Sequence, residues 1–295
     1  LNKIYEIQND EKNYRIKVCF KYLYDKAKFF YNINLIISLI IPIVALIFKM
    51  SKFGHQDIIV SISSCWIITS MVLNILEQKL RLKAVILQEE YDINVLGLKE
   101  NKTLMYKKIL TEERMLIVRK MLGKNIDRIY YDGIECENSI EALLLAQRQN
   151  VLSDRFLRER YCLTYKLLLL TVVILSVIIA IILNQTVKEF LIGILIPSIS
   201  LISFIIQQTR KLSDEIARNE QIGELIEKDI SVLKDLHEKD QKEYRIKCRE
   251  YQNYIFTRRL NAALIPNFVY RLFRNVHIDD KEINQALISQ TKDIQ

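Results

Sequence analysis

Four stretches of this chain carry no Asp, Glu, Lys or Arg: residues 29–48, 58–76, 167–187 and 190–209. At 1.5 Å per residue each would make a helix roughly 28 to 31 Å long, the thickness of a bilayer's hydrocarbon core. All 78 charged residues lie in the remaining 215, so the 26% average separates into none inside these stretches and about 36% outside them. The mean hydropathy of +0.07 averages two environments. A buried helix of a soluble protein rarely stays uncharged for so long. A cleaved signal peptide does not fit the first stretch either, because 28 residues with eleven charges precede it and no small-residue cleavage site follows.

Six glycines and three prolines make about 3% of the 295 residues, against an average near 12%. Sandwiches, barrels and nucleotide-binding α/β folds need more turn residues than that. The fold expected is therefore an all-α integral membrane protein. It would have two transmembrane helical hairpins, four transmembrane helices in all, with long helical cytosolic extensions.

Lys and Arg set the orientation. Forty of the 43 lie in segments 1–28, 77–166 and 210–295, and the two short connections at 49–57 and 188–189 hold the other three. The positive-inside rule then makes both termini and the central region cytoplasmic. The predicted organisation is an N-terminal cytosolic helix (1–28), hairpin 1 (29–76), a central cytosolic helical region (77–166), hairpin 2 (167–209) and a C-terminal cytosolic helical region (210–295). The layout repeats itself: Gln8-Asn9 leads into the first hairpin and Gln149-Asn150 into the second.

Within the central region the pattern predicts a helix through Leu87, a loop at 92–101 and a helix over 103–122. Turns are expected at Gly123 and at Tyr130-Tyr131-Asp132-Gly133, then a helix capped by Asn138 or Ser139 that continues unbroken into the third apolar stretch. Leu212, Ile216, Ile226, Ile230 and Leu233 follow a 4,3 spacing interrupted at Asn219 and Gly223. That spacing suits a helix packed on its own neighbours or a subunit contact. A last long helix is predicted over 238–264, before Pro266.

On the second apolar stretch Ser63, Trp66, Ser70 and Asn74 fall within about 80° of one another at 100° per residue and share a face. The fourth carries Ser200, Ser203 and Gln207 likewise, with Pro197 and Gly193 as places to bend. These seven residues are candidates to line a water-filled path through an oligomer, or to make interhelical hydrogen bonds. Ser61, Cys65 and Thr69 form a separate small-residue stripe suited to helix packing. No stretch holds an ionisable acid, base or histidine, which disfavours proton-coupled transport.

The five cysteines form no C-x-x-C pair and the three histidines lie apart, so neither a disulfide framework, a metal site nor a cofactor is indicated. Motifs for a P-loop, H-E-x-x-H or G-x-S-x-G are missing, and the chain is not expected to be an enzyme.

Three sets of residues, Tyr91-Asp92-Ile93-Asn94-Val95-Leu96-Gly97-Leu98, Ala146-Gln147-Arg148-Gln149-Asn150 with Asp154, Leu157, Arg158 and Tyr161, and Gln252-Asn253 with Ile255, Arg258, Pro266, Tyr270 and Arg274, carry a resemblance. In their order the chain resembles the small four-transmembrane, pore-forming effectors of bacterial nucleotide-signalled (CBASS-type) antiphage systems. The resemblance implies a bacterial inner-membrane protein that forms or gates a pore as a homo-oligomer. Its signal would be a cyclic oligonucleotide made by a neighbouring nucleotidyltransferase, and no nucleic acid polymer would be bound. A ligand with phosphates and stackable bases calls for arginines among aromatics. Tyr254, Arg258, Arg259, Tyr270, Arg271 and Arg274, around Pro266, fit that need. Arg155, Arg158, Arg160 and Tyr161 also fit, though arginines beside a span suit lipid headgroups better, and that is the reading preferred for this cluster. A membrane-anchored scaffold for a cytosolic partner and a small transporter are the alternatives.

Overall fold

The computed structural model describes residues 3–50, 56–136, 139–153, 155–233, 241–273 and 279–292, and every regular element among them is helical. Helix α1 (Lys3–Asn9) leads into α2 (Glu11–Met50), and α3 (Gln56–Leu96) returns beside it. The polar middle of the chain contributes α4 (Thr111–Met121) and α5 (Ser139–Leu152). Helix α6 (Arg155–Ile182) is followed by a short α7 (Val187–Phe190), a π-helical turn (Leu191–Leu195) and α8 (Ile196–Val232). Helices α9 (Gln241–Asn261), α10 (Asn267–Leu272) and α11 (Asp280–Lys292) complete the fold.

The α2–α3 pair makes the most extensive helix contact and the α6–α8 pair the next. The uncharged stretches occupy the far halves of these two hairpins, where large apolar side chains such as Ile43, Ile62, Ile68, Leu170 and Ile181 stand exposed. The segment Ser139–Ile182 is long and apolar enough to cross a membrane, and only 6% of its most apolar window is buried. Exposed apolar surface on this scale marks an interaction with lipid or protein rather than with water. In the charged half, α2 and α3 run on into a bundle closed by α4, α5, α9 and the end of α8. Its core includes Phe20, Leu87, Tyr91, Leu144, Ile226 and Ile255. A second core of Leu35, Leu157, Tyr161, Tyr165, Leu201 and Ile205 joins the two hairpins at their base.

Local chemistry explains where the elements end. Gly97, at φ +65°, closes α3, and the Leu98 amide donates back to the Ile93 carbonyl at 3.2 Å. Asp92 thus lies on the inner face of α3 rather than in a loop. The helix expected over 103–122 begins only at Thr111. Asn101 accepts from the Thr103 amide and hydroxyl and the segment after it turns, which lays Leu104 and Met105 against Val85, Ile86 and Phe256. Helix α5 ends at Leu152 and α6 starts at Arg155, and Asp154 between them lies outside the described residues. Near that junction the Asn150 carbonyl accepts from Arg258 Nη2 at 2.6 Å.

At the far end of hairpin 2, α6 stops at Ile182 and Asn184 takes φ +44°. Thr186 and Glu189 then form a reciprocal capping box, so Lys188 and Glu189 belong to α7 rather than to the turn. The π-helical turn around Gly193 immediately precedes Pro197, whose missing N–H leaves the Gly193 carbonyl without its α-helical donor. The 4,3-spaced residues of α8 pack inside this same chain. Leu212, Ile226 and Ile230 are buried, Asn219 accepts from the Tyr254 hydroxyl at 2.8 Å, and Gly223 lets Leu152 of α5 approach closely.

Gly133 is a second close approach. Its φ is +71°, and a Cβ there would stand 2.7 Å from the Cα of Lys281 in α11. Gly133→Ala is therefore expected to undock α11, seen as faster proteolysis within 280–292. Gly97→Ala, with open space around its Cβ, pays only the left-handed backbone cost of about 1 kcal/mol and keeps α11 protected.

Candidate functional site

Where α3 crosses α9, two carboxylates and two guanidiniums meet in the interior. Arg259 Nη1 donates to Asp92 Oδ2 at 2.6 Å and Arg259 Nη2 to Asn150 Oδ1 at 2.8 Å. Arg249 Nη2 donates to Glu89 Oε1 at 2.6 Å. Gln252 Nε2 lies between the acids, 2.8 Å from Glu89 Oε2 and 3.0 Å from Asp92 Oδ2. Residues 249, 252 and 259 share a face of α9, and 89 and 92 share a face of α3, so the crossing of the two helices brings the five together. Asp92 is fully buried and Glu89 nearly so. Burial, and after it the charge of Asp92, raises the Glu89 pKa, while Gln252 and Arg249 pull it back. Burial opposes the charge on Arg259, but Asp92 together with Tyr130, Tyr24 and Tyr131 outweighs it and the guanidinium is held protonated. Carboxylates at this depth are tolerable only because each is paired and hydrogen-bonded.

A strap at residues 130–133 closes the network. The Gln8 side chain accepts from the Tyr130 and Tyr131 amides, both at 2.9 Å, and donates to the Tyr131 carbonyl at 2.9 Å. Gln149 Nε2 donates to the Tyr130 carbonyl at 3.1 Å. The glutamines of the two repeated Gln-Asn pairs thus grip one piece of backbone from both sides. Tyr131 donates its hydroxyl to Asp92 Oδ1 at 2.7 Å and accepts from Asn150 at 2.8 Å. Gln147 Nε2 donates to the Cys248 carbonyl at 2.6 Å. Burial raises the pKa of both strap tyrosines, so they serve as neutral donors.

A second tier lies nearer the apolar hairpins. Arg158 donates to Glu215 at 2.9 Å, Arg258 Nη1 stands 4.0 Å from the same carboxylate, and Arg81 pairs with Glu77 while donating to the carbonyls of Leu260 and Ala262. Above it the hydroxyls of Tyr31, Tyr161 and Tyr165 meet at 2.7 to 3.2 Å and join α2 to α6.

The two polar faces of the apolar stretches have different surroundings. On α3, Ser70 donates to Asn34 Oδ1 at 2.8 Å, Asn74 accepts from Asn34 Nδ2 at 2.9 Å, and Trp66 Nε1 donates to Ser38 Oγ at 3.1 Å. Ser63, on the same face, is half-buried. Asn34 and Ser38 of α2 were not among the expected site residues. Their own i, i+4 spacing in an uncharged stretch was the available signal. On α8, Ser203 and Gln207 are exposed, while Ser200 is placed on the helix by its backbone. Ser61, Cys65 and Thr69 are exposed and line a groove of about 580 Å³ with Ile37, Ile41 and Ile62.

Of the expected anion-binding residues, Arg258, Arg259 and Tyr254 sit within the network, and Arg271 is exposed on α10, which also carries Tyr270. Arg274 lies outside the described residues, as do His55, His237, His277 and Asn138. The structure adds Glu89, Asp92, Asn150, Arg249 and Gln252 to the group.

Residues 2–287 match the family described as the SMODS-associating 4TM effector domain. The chain belongs to that family. The chain is 28% identical, over 301 aligned residues, to a protein of Bacillus cereus (strain VD146) described as a probable CBASS effector molecule. The alignment covers 97% of this chain and 98% of the relative. No solved structure matches significantly. The family is thus one of CBASS-type four-transmembrane effectors, and its name agrees with the exposed apolar belt. Of the residues that carried the resemblance, Asp92, Gln147, Asn150, Arg158, Gln252 and Arg258 meet inside the polar bundle.

Two predictions follow from these contacts. Arg259→Met leaves Asp92 buried without its cation and should destabilise the fold by about 3 to 5 kcal/mol in denaturant unfolding, and Asp92→Leu/Arg259→Met should regain part of that loss. Lys17 is buried with its Nζ on the Ile129 carbonyl at 2.9 Å, and burial lowers its pKa to about 8 from 10.5. Between those values the folded chain has shed this proton and the unfolded chain keeps it, so this residue makes stability rise with pH. Lys17→Met should be more stable than wild type at pH 7, and the gap should narrow by pH 9.5 in thermal melts followed by circular dichroism.

Proposed function

We propose that this chain is the membrane effector of a nucleotide-signalled antiphage system, and that it permeabilises the bacterial inner membrane when its signal arrives. The uncharged stretches 29–48, 58–76, 167–187 and 190–209 cross the bilayer as two hairpins, with both termini and the polar bundle in the cytoplasm. Family membership over nearly the whole chain supports the effector role, and the distribution of Lys and Arg supports the orientation. The output is a change in permeability, not turnover of a substrate.

The observation that carries the pore is the contrast between the two polar faces. Trp66, Ser70 and Asn74 turn toward α2, where Asn34 and Ser38 meet them, so that face holds hairpin 1 together. Ser203 and Gln207 stand exposed on an apolar helix, where polar groups facing hydrocarbon are costly. Homo-oligomerisation that turns this face of α8 inward gives it water or a neighbouring subunit. The π-helical turn before Pro197 gives α8 a place to bend at the outer end of that face. The signal is a cyclic oligonucleotide, and Arg271, exposed on α10, is the accessible part of its site, with Tyr270 and Arg274 its neighbours in sequence. Arg258, Arg259 and Tyr254 join it once α9 lifts.

Purified full-length protein in liposomes loaded with a self-quenching dye tests this reading. Challenge with a panel of cyclic di- and trinucleotides should release dye with at least one of them, and Gln207→Leu should reduce the release while leaving ligand binding intact. Ser70→Leu should instead lower the melting temperature, because it removes a partner of Asn34. No efflux with any nucleotide, together with saturable uptake of a single solute, would contradict the pore and favour a transporter.

A further inference from the structure

Helix α9 is fastened to α3 by apolar packing and by buried charge together. Val85 and Ile86 pack on Phe256, Leu87 and Tyr91 share a core with Ile255, and among them run the polar ties Glu89–Arg249, Asp92–Arg259, the bridging Gln252 and Arg81 on the carbonyls of Leu260 and Ala262. On its other side α9 reaches α5 and α8 through Arg258 on the Asn150 carbonyl, Tyr254 on Asn219 and Tyr251 on Asp229. One helix therefore connects the base of the first hairpin to the base of the second. The chemistry of this joint matters. An apolar interface that opens exposes its area to water and loses that whole contribution. A buried ion pair that opens regains the hydration it gave up, so its net preference for the closed state is small. The ion pairs therefore add register to this joint more than they add resistance to its opening.

We propose that α9 is an autoinhibitory clasp: Arg249 and Arg259, seated on Glu89 and Asp92, hold α3 against α5 and α8 and keep the two apolar hairpins in their resting arrangement. Helix α3 is continuous from Gln56 to Leu96, so it moves as one lever. Asp92 lies 16 residues from the inner end of the second apolar stretch, roughly 24 Å along the axis. A displacement that unseats Asp92 is carried into that stretch without any intervening hinge. The clasp rests on the proposed membrane role only for its output, since its geometry can be read without it.

Distance measurement by pulsed electron spin resonance separates the two. Nitroxides are placed at the exposed positions Ile68 of α3 and Leu170 of α6, on full-length protein in phospholipid nanodiscs, with Cys65 and Cys136 replaced by serine. Glu89→Gln, which keeps the shape of the acid and one acceptor oxygen while removing the charge, should add a longer-distance population. Arg249→Gln should do the same, and Arg249→Lys should retain the wild-type distribution. Arg15→Ala, which cuts an exposed pair with Glu11, is the control and should change nothing. The first two variants should also leak dye from liposomes with no nucleotide present. An unchanged distance distribution in both, with circular dichroism showing a folded protein, overturns the clasp. A longer distance without leak keeps the clasp and contradicts the permeability reading. Should both Glu89→Gln and Arg249→Gln unfold while Arg249→Lys folds, the pair is a stability element and the clasp is likewise overturned.

Discussion

A guanidinium buried between Asp92 and Asn150 constrains everything around it. Arg259 cannot be left unpaired at that depth, so α3 must present Asp92, α5 must present Asn150, and α9 must lie where it reaches both. Asp92 then needs its other oxygen satisfied, which brings in Tyr131 and with it the strap that Gln8 and Gln149 grip. Glu89, one turn away, requires Arg249 and shares Gln252. Apolar packing of Leu87, Tyr91, Leu144 and Ile255 would tolerate several registers of these helices. The polar network admits only one.

The apolar half follows a different rule. Beyond Tyr31, Tyr161 and Tyr165 the helices present large apolar side chains outward and bury few of them. Stability there cannot come from the expulsion of water between helices. It rests on the close α2–α3 and α6–α8 pairing and on hydrogen bonds such as those of Asn34, which serves Ser70 and Asn74 together. The polar bundle fixes where the hairpins start, and the apolar helices carry that placement outward.

Helix content, the two hairpins and the turns at Gly97, Gly123 and Gly133 were legible in the sequence, because uncharged runs and glycines report local requirements. The polar pairing was not. Asp92 and Asn94 read as loop formers by propensity, yet α3 continues through them because Arg259 lies in a segment 167 residues away. Arg258 and Arg259 stood out as cations near aromatics, but nothing local told whether their anions would come from a ligand or from this chain. Asn101 likewise turned the predicted start of α4 into an irregular segment by capturing nearby amides. Family resemblance picked out Asp92, Asn150, Gln252 and Arg258 but not Glu89, Arg249 or Tyr131, and only their three-dimensional meeting explains what unites them.

The claim that one buried polar network positions both hairpins is tested most directly by amide hydrogen exchange on the full chain in nanodiscs. The account predicts that residues 85–96 of α3, 143–151 of α5 and 249–261 of α9 are strongly protected in wild type and lose that protection together in Arg259→Met. Loss confined to α9, with α3 and α5 still protected at wild-type levels, would contradict it.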